Sequence, residues 1–226
     1  MICYVDIEHD KVLQDPDKRS SHLANRMEIK LRLEEISGEP CLVQRYSDLT
    51  GQRLAEWGIK ALLISGNGTP WDEYAAQDLA EMYHIIRSAR LPILGFCGGC
   101  QLIAMAHGVP VDYMRPLHDG EQDARPNYRE GWLKESGFMP VRVLQPDPLF
   151  NGLGDWPVFY QAHAEEVKGP PPDFRVLASS EACPIQALKQ ADRLVYGTQF
   201  HPEWFSDEQA DGRRLLTNFF EIVGIL

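Results

Sequence analysis

The chain of 226 residues is 44% hydrophobic and 24% charged, a globular composition at about one and a half times the usual domain length and large enough to bury roughly 70% of its unfolded surface without staples. Its 33 acidic residues against 22 basic ones leave a net charge of −11, which argues against a nucleic-acid face built on clustered Lys and Arg. No run of 18 apolar residues exists, and the opening Met1–Glu8 has no basic stretch and meets Asp6 at once, so neither a membrane span nor a secretory leader is expected and the cytoplasm is the expected location.

In chain order, residues 1–8 read as a short buried strand, and the polar stretch 9–18 as a loop. A helix is expected over 19–36, with Leu23, Met27 and Leu31 four apart and Ile29, Leu33 and Ile36 widening the apolar face, ended by Gly38. A strand at 41–46, a short helix at 50–57 and a strong strand at 60–65 follow, broken by the loop Ser65-Gly66-Asn67-Gly68-Thr69-Pro70. The helix 73–89 carries Leu79, Met82, Tyr83 and Ile86 at spacings of three and four. Leu91–Phe96 is a continuous apolar strand, and Gly98–Ala106 an apolar helix closed by Gly108. Apolar strands alternating with helices imply a mostly parallel sheet covered on both faces.

The second half reads differently. Strands are expected at 109–114, 140–144, 157–162, 174–178, 184–188 and 194–200, with a small helix near Pro148–Leu153 and a closing amphipathic helix at 207–223. Asp119–Glu130 reads as a solvated loop. With no linker or repeat in view, residues 1–226 are expected to form a single α/β domain.

Five cysteines, an odd number, do not suggest a disulfide framework. Cys3 and Cys41 fall in strands, and Cys183 before a proline reads equally as a small buried residue. Cys97 is different, because it stands between the strand ending at Phe96 and the helix starting at Gly98. A nucleophile needs this strand–turn–helix setting, in which small neighbours permit the tight turn. The helix N-terminus favours thiolate and offers N–H groups to a developing oxyanion. The same residues spell Cys97-Gly-Gly-Cys100, so dithiol redox chemistry is the rival reading. A zinc reading of that motif is weaker, since no second such pair or His pair lies at ligand spacing. Far downstream, His201-Pro202-Glu203 follows a strand, and such a pair supplies a base and the carboxylate that orients it.

Together these stretches resemble the class I (triad-type) glutamine amidotransferases. Gly95-Phe-Cys97-Gly-Gly99-Cys-Gln101 is similar to that family's nucleophile motif and Gly197-Thr-Gln-Phe-His201-Pro-Glu203 to its His/Glu motif. Ile64-Ser65-Gly66-Asn67-Gly68 resembles its oxyanion loop and Asp211–Phe220 its last helix, so the likeness spans roughly residues 40–223. The resemblance implies a flavodoxin-like open sheet with helices on both faces and a smaller antiparallel region in the second half. It further implies that Cys97 attacks a glutamine side-chain amide, with His201 as base and acid and Glu203 as its orienter. Backbone N–H groups at Gly66 or Asn67 and at Gly98 would hold the oxyanion. Gln101 and the segment His163-Ala164-Glu165 would contact the substrate. No cofactor or metal is expected.

The sequence departs from the pattern in having Cys at position 100, Gly-Asn-Gly where Gly-Gly-Pro is commoner, and a segment 9–37 that matches nothing in it. No synthase domain follows in this sequence, so two substrate readings stay open. One is glutamine, with ammonia passed to a separate acceptor protein; the other is a γ-glutamyl compound that the protein hydrolyses alone.

Overall fold

Strand β1 (Ile2–Asp6) is wholly buried, and its alternating side chains divide the molecule. Ile2 and Tyr4 join a core with Ile29, Leu33, Leu215 and Phe219 on one face. Cys3 and Val5 join Leu79, Met82, Leu102 and Ile103 on the other. The computed structural model, which describes residues 1–88 and 90–226, therefore has helices on both sides of its sheet. The end expected for the 73–89 helix falls on Ala89, outside the described residues.

After β1 come α1 (Asp10–Gln14), α2 (Pro16–Ser37), β2 (Cys41–Arg45), α3 (Gly51–Glu56), β3 (Leu62–Ile64), α4 (Ala76–Ser88), β4 (Ile93–Phe96) and α5 (Gly98–Ala106). The second half adds β5 (Val111–Tyr113), β6 (Glu135–Pro140), β7 (Arg142–Val143), β8 (Val158–His163), β9 (Glu165–Val167), β10 (Phe174–Ser179), β11 (Ala187–Gln190), β12 (Val195–Thr198) and α6 (Asp211–Ile222). The main sheet has the order β2-β1-β3-β4-β12-β11-β10-β7. Its first five strands are parallel, and β11, β10 and β7 continue it in antiparallel fashion. Two antiparallel pairs, β5–β9 and β6–β8, stand apart from it. Among the described residues no helix is long and apolar enough to cross a membrane.

Residues 9–37 correct the sequence reading twice. The stretch 9–18 is not a loop: α1 forms there, and α2 begins at Pro16 with the Asp15 side chain accepting from Asp17 N at 3.0 Å. Asp followed by Pro is a cap and a first helical residue. Second, Leu23, Met27 and Leu31 do not face the core; they are 49, 54 and 56% exposed. The inward stripe is His22, Arg26, Ile29, Leu33 and Ile36, spaced four and three. Its first two members are basic because they reach the buried Asp6, so a search for apolar periodicity selects the wrong face.

Glycines control how closely β4 and α5 approach. A Cβ on Gly95 would lie 2.5 Å from the carbonyl carbon and oxygen of Gly99, and one on Gly99 would lie 2.4 Å from Ile64 O. Both obstacles are backbone, which does not swing aside. Gly95→Ala is therefore expected to destabilise the protein by about 1–3 kcal/mol, the range of overpacked cores, as measured by urea unfolding. An unchanged midpoint would count against this account of the turn.

Candidate active site

The C-terminal ends of β1, β3, β4 and β12 deliver Glu8, the 65–70 loop, Cys97 and residues 199–203 to one edge of the sheet. In open α/β sheets this edge is where sites form.

Cys97 sits between β4 and α5 with φ 47° and ψ −104°. Its N–H donates to Thr198 O at 2.7 Å, and its own carbonyl accepts from Gln101 N at 3.0 Å. Strand pairing and helix thus meet on a single residue. A Cβ on Gly98 would lie 1.9 Å from Asn67 Oδ1 and 3.0 Å from Asn67 N, so the two backbones touch. The Gly66 carbonyl accepts from Ser65 Oγ at 2.9 Å and Arg26 Nη2 at 3.3 Å. A trans peptide points its N–H opposite its carbonyl, so the Asn67 N–H is turned away from Arg26. Glu8 fixes the rest of this loop, accepting from Gly68 N at 2.7 Å and Thr69 N at 3.2 Å.

His201 and Glu203 reach Cys97 from β12. His201 Nδ1 bonds Glu203 Oε1 at 2.8 Å, and the imidazole lies close to Cys97 on the other side. A Cβ on Gly66 would stand 2.9 Å from His201 Cε1 and 3.4 Å from Cys97 Cβ, so glycine leaves room for both. Burial alone would lower the His201 pKa, but the Glu203 carboxylate and the Cys97 thiolate outweigh it and hold it up at about 10. At neutral pH the imidazole is therefore held in its charged form. Arg32 Nη1 donates to the Glu203 carbonyl at 3.2 Å and the Phe205 carbonyl at 2.9 Å, tying this loop to α2.

Gln101 lies at the same edge but is enclosed. Its Oε1 accepts from Trp71 Nε1 at 2.7 Å, and its Nε2 donates to Glu165 O at 3.1 Å and Gln199 Oε1 at 3.2 Å. Gln199 Nε2 in turn donates to Cys97 Sγ at 3.5 Å. Of the substrate segment, the Ala164 carbonyl accepts from Met114 N at 2.9 Å. The Glu165 carbonyl also meets His163 Nδ1 at 3.1 Å. The His163 ring is buried and turned toward Glu135 at 3.0 Å, away from the cavity walled by Gly66 and His201. Cys100 is fully buried with its sulfur toward Gly197, and burial pushes its thiol far up. All five cysteines are free, and this burial weakens the dithiol reading.

Several neighbours were not singled out from sequence. The cavity, about 510 Å³, is also walled by Arg26, Arg125 and Tyr128. The 119–130 stretch, expected to be a solvated loop, thus contributes to the site as well. Burial, and then the nearness of Cys97, raise the Tyr128 pKa.

The family model for class-I glutamine amidotransferases matches residues 27–223. The chain belongs to that family. Its relatives include one subunit of a glutamine-hydrolyzing GMP synthase from Methanothermobacter thermautotrophicus, 32% identical over 69% of this chain and 81% of that protein. The corresponding GMP synthase subunit from Pyrococcus abyssi is 37% identical over 60% of this chain and 62% of its own length. A GMP synthase from Chlamydia caviae is 38% identical over 59% of this chain, yet the match spans only 23% of that protein. A crystal structure of a putative GMP synthase subunit from Thermoplasma acidophilum superposes with a TM-score of 0.72 at 25% identity, covering 99% of this chain and 94% of that one. The amidotransferase fold, and the open sheet with its antiparallel extension, agree with the sequence reading.

The His201 environment has a measurable consequence. Its protonated form persists below about 10 and is lost as pH rises through that value. Glu203→Gln removes the leading charge that raises it, so the imidazole titration followed by NMR is expected to move down by about one unit or more. A titration unmoved by the substitution would remove Glu203 as the cause.

Proposed function

We propose that the protein hydrolyses the side-chain amide of glutamine through Cys97, His201 and Glu203, and passes the ammonia to a separate synthase subunit. The observation that carries this reading is the single constellation of a strained Cys97 elbow, an imidazole against its thiol, and a carboxylate 2.8 Å from the far ring nitrogen. The thiolate attacks the amide carbon, and the carbonyl oxygen takes up the negative charge between the N–H groups of Asn67 and Gly98. His201 gives its proton to the leaving nitrogen, which departs as ammonia and leaves a γ-glutamyl thioester. Water, deprotonated by His201, then attacks the thioester and releases glutamate with the thiol restored. Glu203 holds the ring and stabilises its charged form throughout.

The GMP synthase subunits among the relatives make the synthase half of such an enzyme the first acceptor partner to test. A second reading has its own support. The cavity, walled by Arg26, Arg125 and Lys18 as well as Glu8 and Glu203, is roomier than a glutamine side chain needs, which favours a larger γ-glutamyl compound hydrolysed without a partner. The readings separate on turnover. Slow ammonia release that rises when the synthase subunit is added supports the first; full turnover of a γ-glutamyl amide by the protein alone supports the second.

Either way the residue roles are open to kinetic test. Cys97→Ser is expected to lower hydrolysis by several orders of magnitude, whereas Cys100→Ser keeps most of it. His201→Ala should lower kcat by roughly a hundredfold or more, and Glu203→Gln by less. His163→Ala should act mainly on KM, because its ring reaches the site only through the Glu165 carbonyl. A collapse of kcat in His163→Ala beside a nearly intact His201→Ala would reverse the assignment.

A further inference from the structure

A second Cys/His/Glu cluster lies away from the Cys97 site. Glu135 opens β6, His163 closes β8, and the two are paired across that hairpin. Cys183 approaches from the loop between β10 and β11. Their ligand atoms all lie within 4.8 Å of one another, and the residues are 2, 2 and 0% exposed. We propose that Glu135, His163 and Cys183 bind a zinc-like divalent cation.

Hydrogen bonding at His163 is the first argument. Nδ1 meets the Glu165 carbonyl at 3.1 Å, an oxygen that only accepts, so Nδ1 carries the proton. In a neutral ring Nε2 then presents a lone pair to Glu135 Oε2, another acceptor, at 3.0 Å. Two acceptors face each other, and something positive must join them: a proton on Nε2 or a metal ion. An N–H to a backbone carbonyl is also the usual outer support of a metal-bound imidazole. Gln186 Nε2 donates to the same Glu135 oxygen, and Gln161 Nε2 braces Gln186 Oε1 at 3.0 Å, so the carboxylate is oriented from behind.

Charge is the second argument. The Glu166 carboxylate lies beside the Cys183 thiol, and its Oε2 is buried with no nitrogen or hydroxyl donor. Its other oxygen is held by Lys168 Nζ at 2.9 Å. Two carboxylates flanking the thiol make its surroundings electronegative, which favours entry of a cation. Glu135 and Glu166 both line a cavity of about 860 Å³, so the cluster borders open space on its carboxylate side. Donors around tetrahedral zinc stand about 3.2–3.8 Å apart, so movements on the order of 1 Å close the site. Thiolate with imidazole and carboxylate suits zinc rather than magnesium or calcium. Binding displaces two protons to solvent, one from His163 Nε2 and one from Cys183 Sγ, and changes no oxidation state.

The experiment uses the full-length protein freed of metal by chelator and titrated with Zn²⁺ by calorimetry in two buffers of different ionisation enthalpy. One equivalent is expected with Kd below about 1 μM, with close to two protons released. Co²⁺ in place of Zn²⁺ should give a thiolate charge-transfer absorption. Cys97 and His201 are the competing ligands, so the absorption should survive Cys97→Ser and vanish in Cys183→Ser. His163→Gln should weaken Zn²⁺ binding by more than about 100-fold. Circular dichroism checks that each variant folds, and a wild-type titration without binding is decisive on its own. No binding by the wild-type protein, which leaves a protonated His163–Glu135 pair, overturns the proposal. So does an absorption that follows Cys97 rather than Cys183.

Discussion

Cys97 carries a backbone conformation that a residue with a side chain adopts at a cost of about 1–3 kcal/mol, and the site depends on its being held there. Its N–H is committed to Thr198 on β12 and its carbonyl to the first turn of α5. The parallel register of β4 with β12 and the bare contact of Gly95 with Gly99 leave the chain no easier path. The same geometry puts the sulfur at the sheet edge, where β12 delivers His201 and where Asn67 touches Gly98. Strain at one residue is thereby offset by packing of β4, β12 and α5.

Around this elbow lies a layer of buried charge that runs against the acidic character of the whole chain. Burial alone would raise the Asp6 pKa, but His22, Arg26 and Arg45 together hold it well below the usual carboxylate range. Arg26 bridges Asp6, at 2.9 Å, to the Gly66 carbonyl. A charge on β1 and a helix outside the parallel sheet thus set which way one loop peptide points. The match to the family begins at residue 27, so His22 and Arg26 precede it. The N-terminal segment walls the cavity and lies outside the family match.

The β6–β8 hairpin and the β10–β11 loop form the other polar interior. Gln101, bonded to the Glu165 carbonyl on one side and Gln199 on the other, is the link between that region and the sulfur of Cys97. Glu165 O accepts from Gln101 and also meets His163, so the two Cys-containing clusters share one backbone oxygen. Movement of β9 would be felt at both.

The alternation of apolar strands with helices, the glycine-flanked Cys97 and the His201-Pro-Glu203 pair were all legible in sequence, because each is written in contiguous residues, although the Cys97 motif alone also admitted a dithiol reading. The β1–β4 order of elements and the family likeness followed from them. What sequence misread was α2, where Leu23, Met27 and Leu31 have the right spacing but the wrong face. A helix chooses its buried side by what it meets, and here it meets Asp6 as well as apolar side chains. The orientation of the Gly66–Asn67 peptide, the Gln101–Gln199 link to Cys97, and the meeting of Glu135, His163 and Cys183 were likewise decided only by tertiary structure. Those last three residues are separated by 28 and 20 positions along the chain, and strand pairing and loop return, which bring distant residues together, leave no local period for a sequence to display.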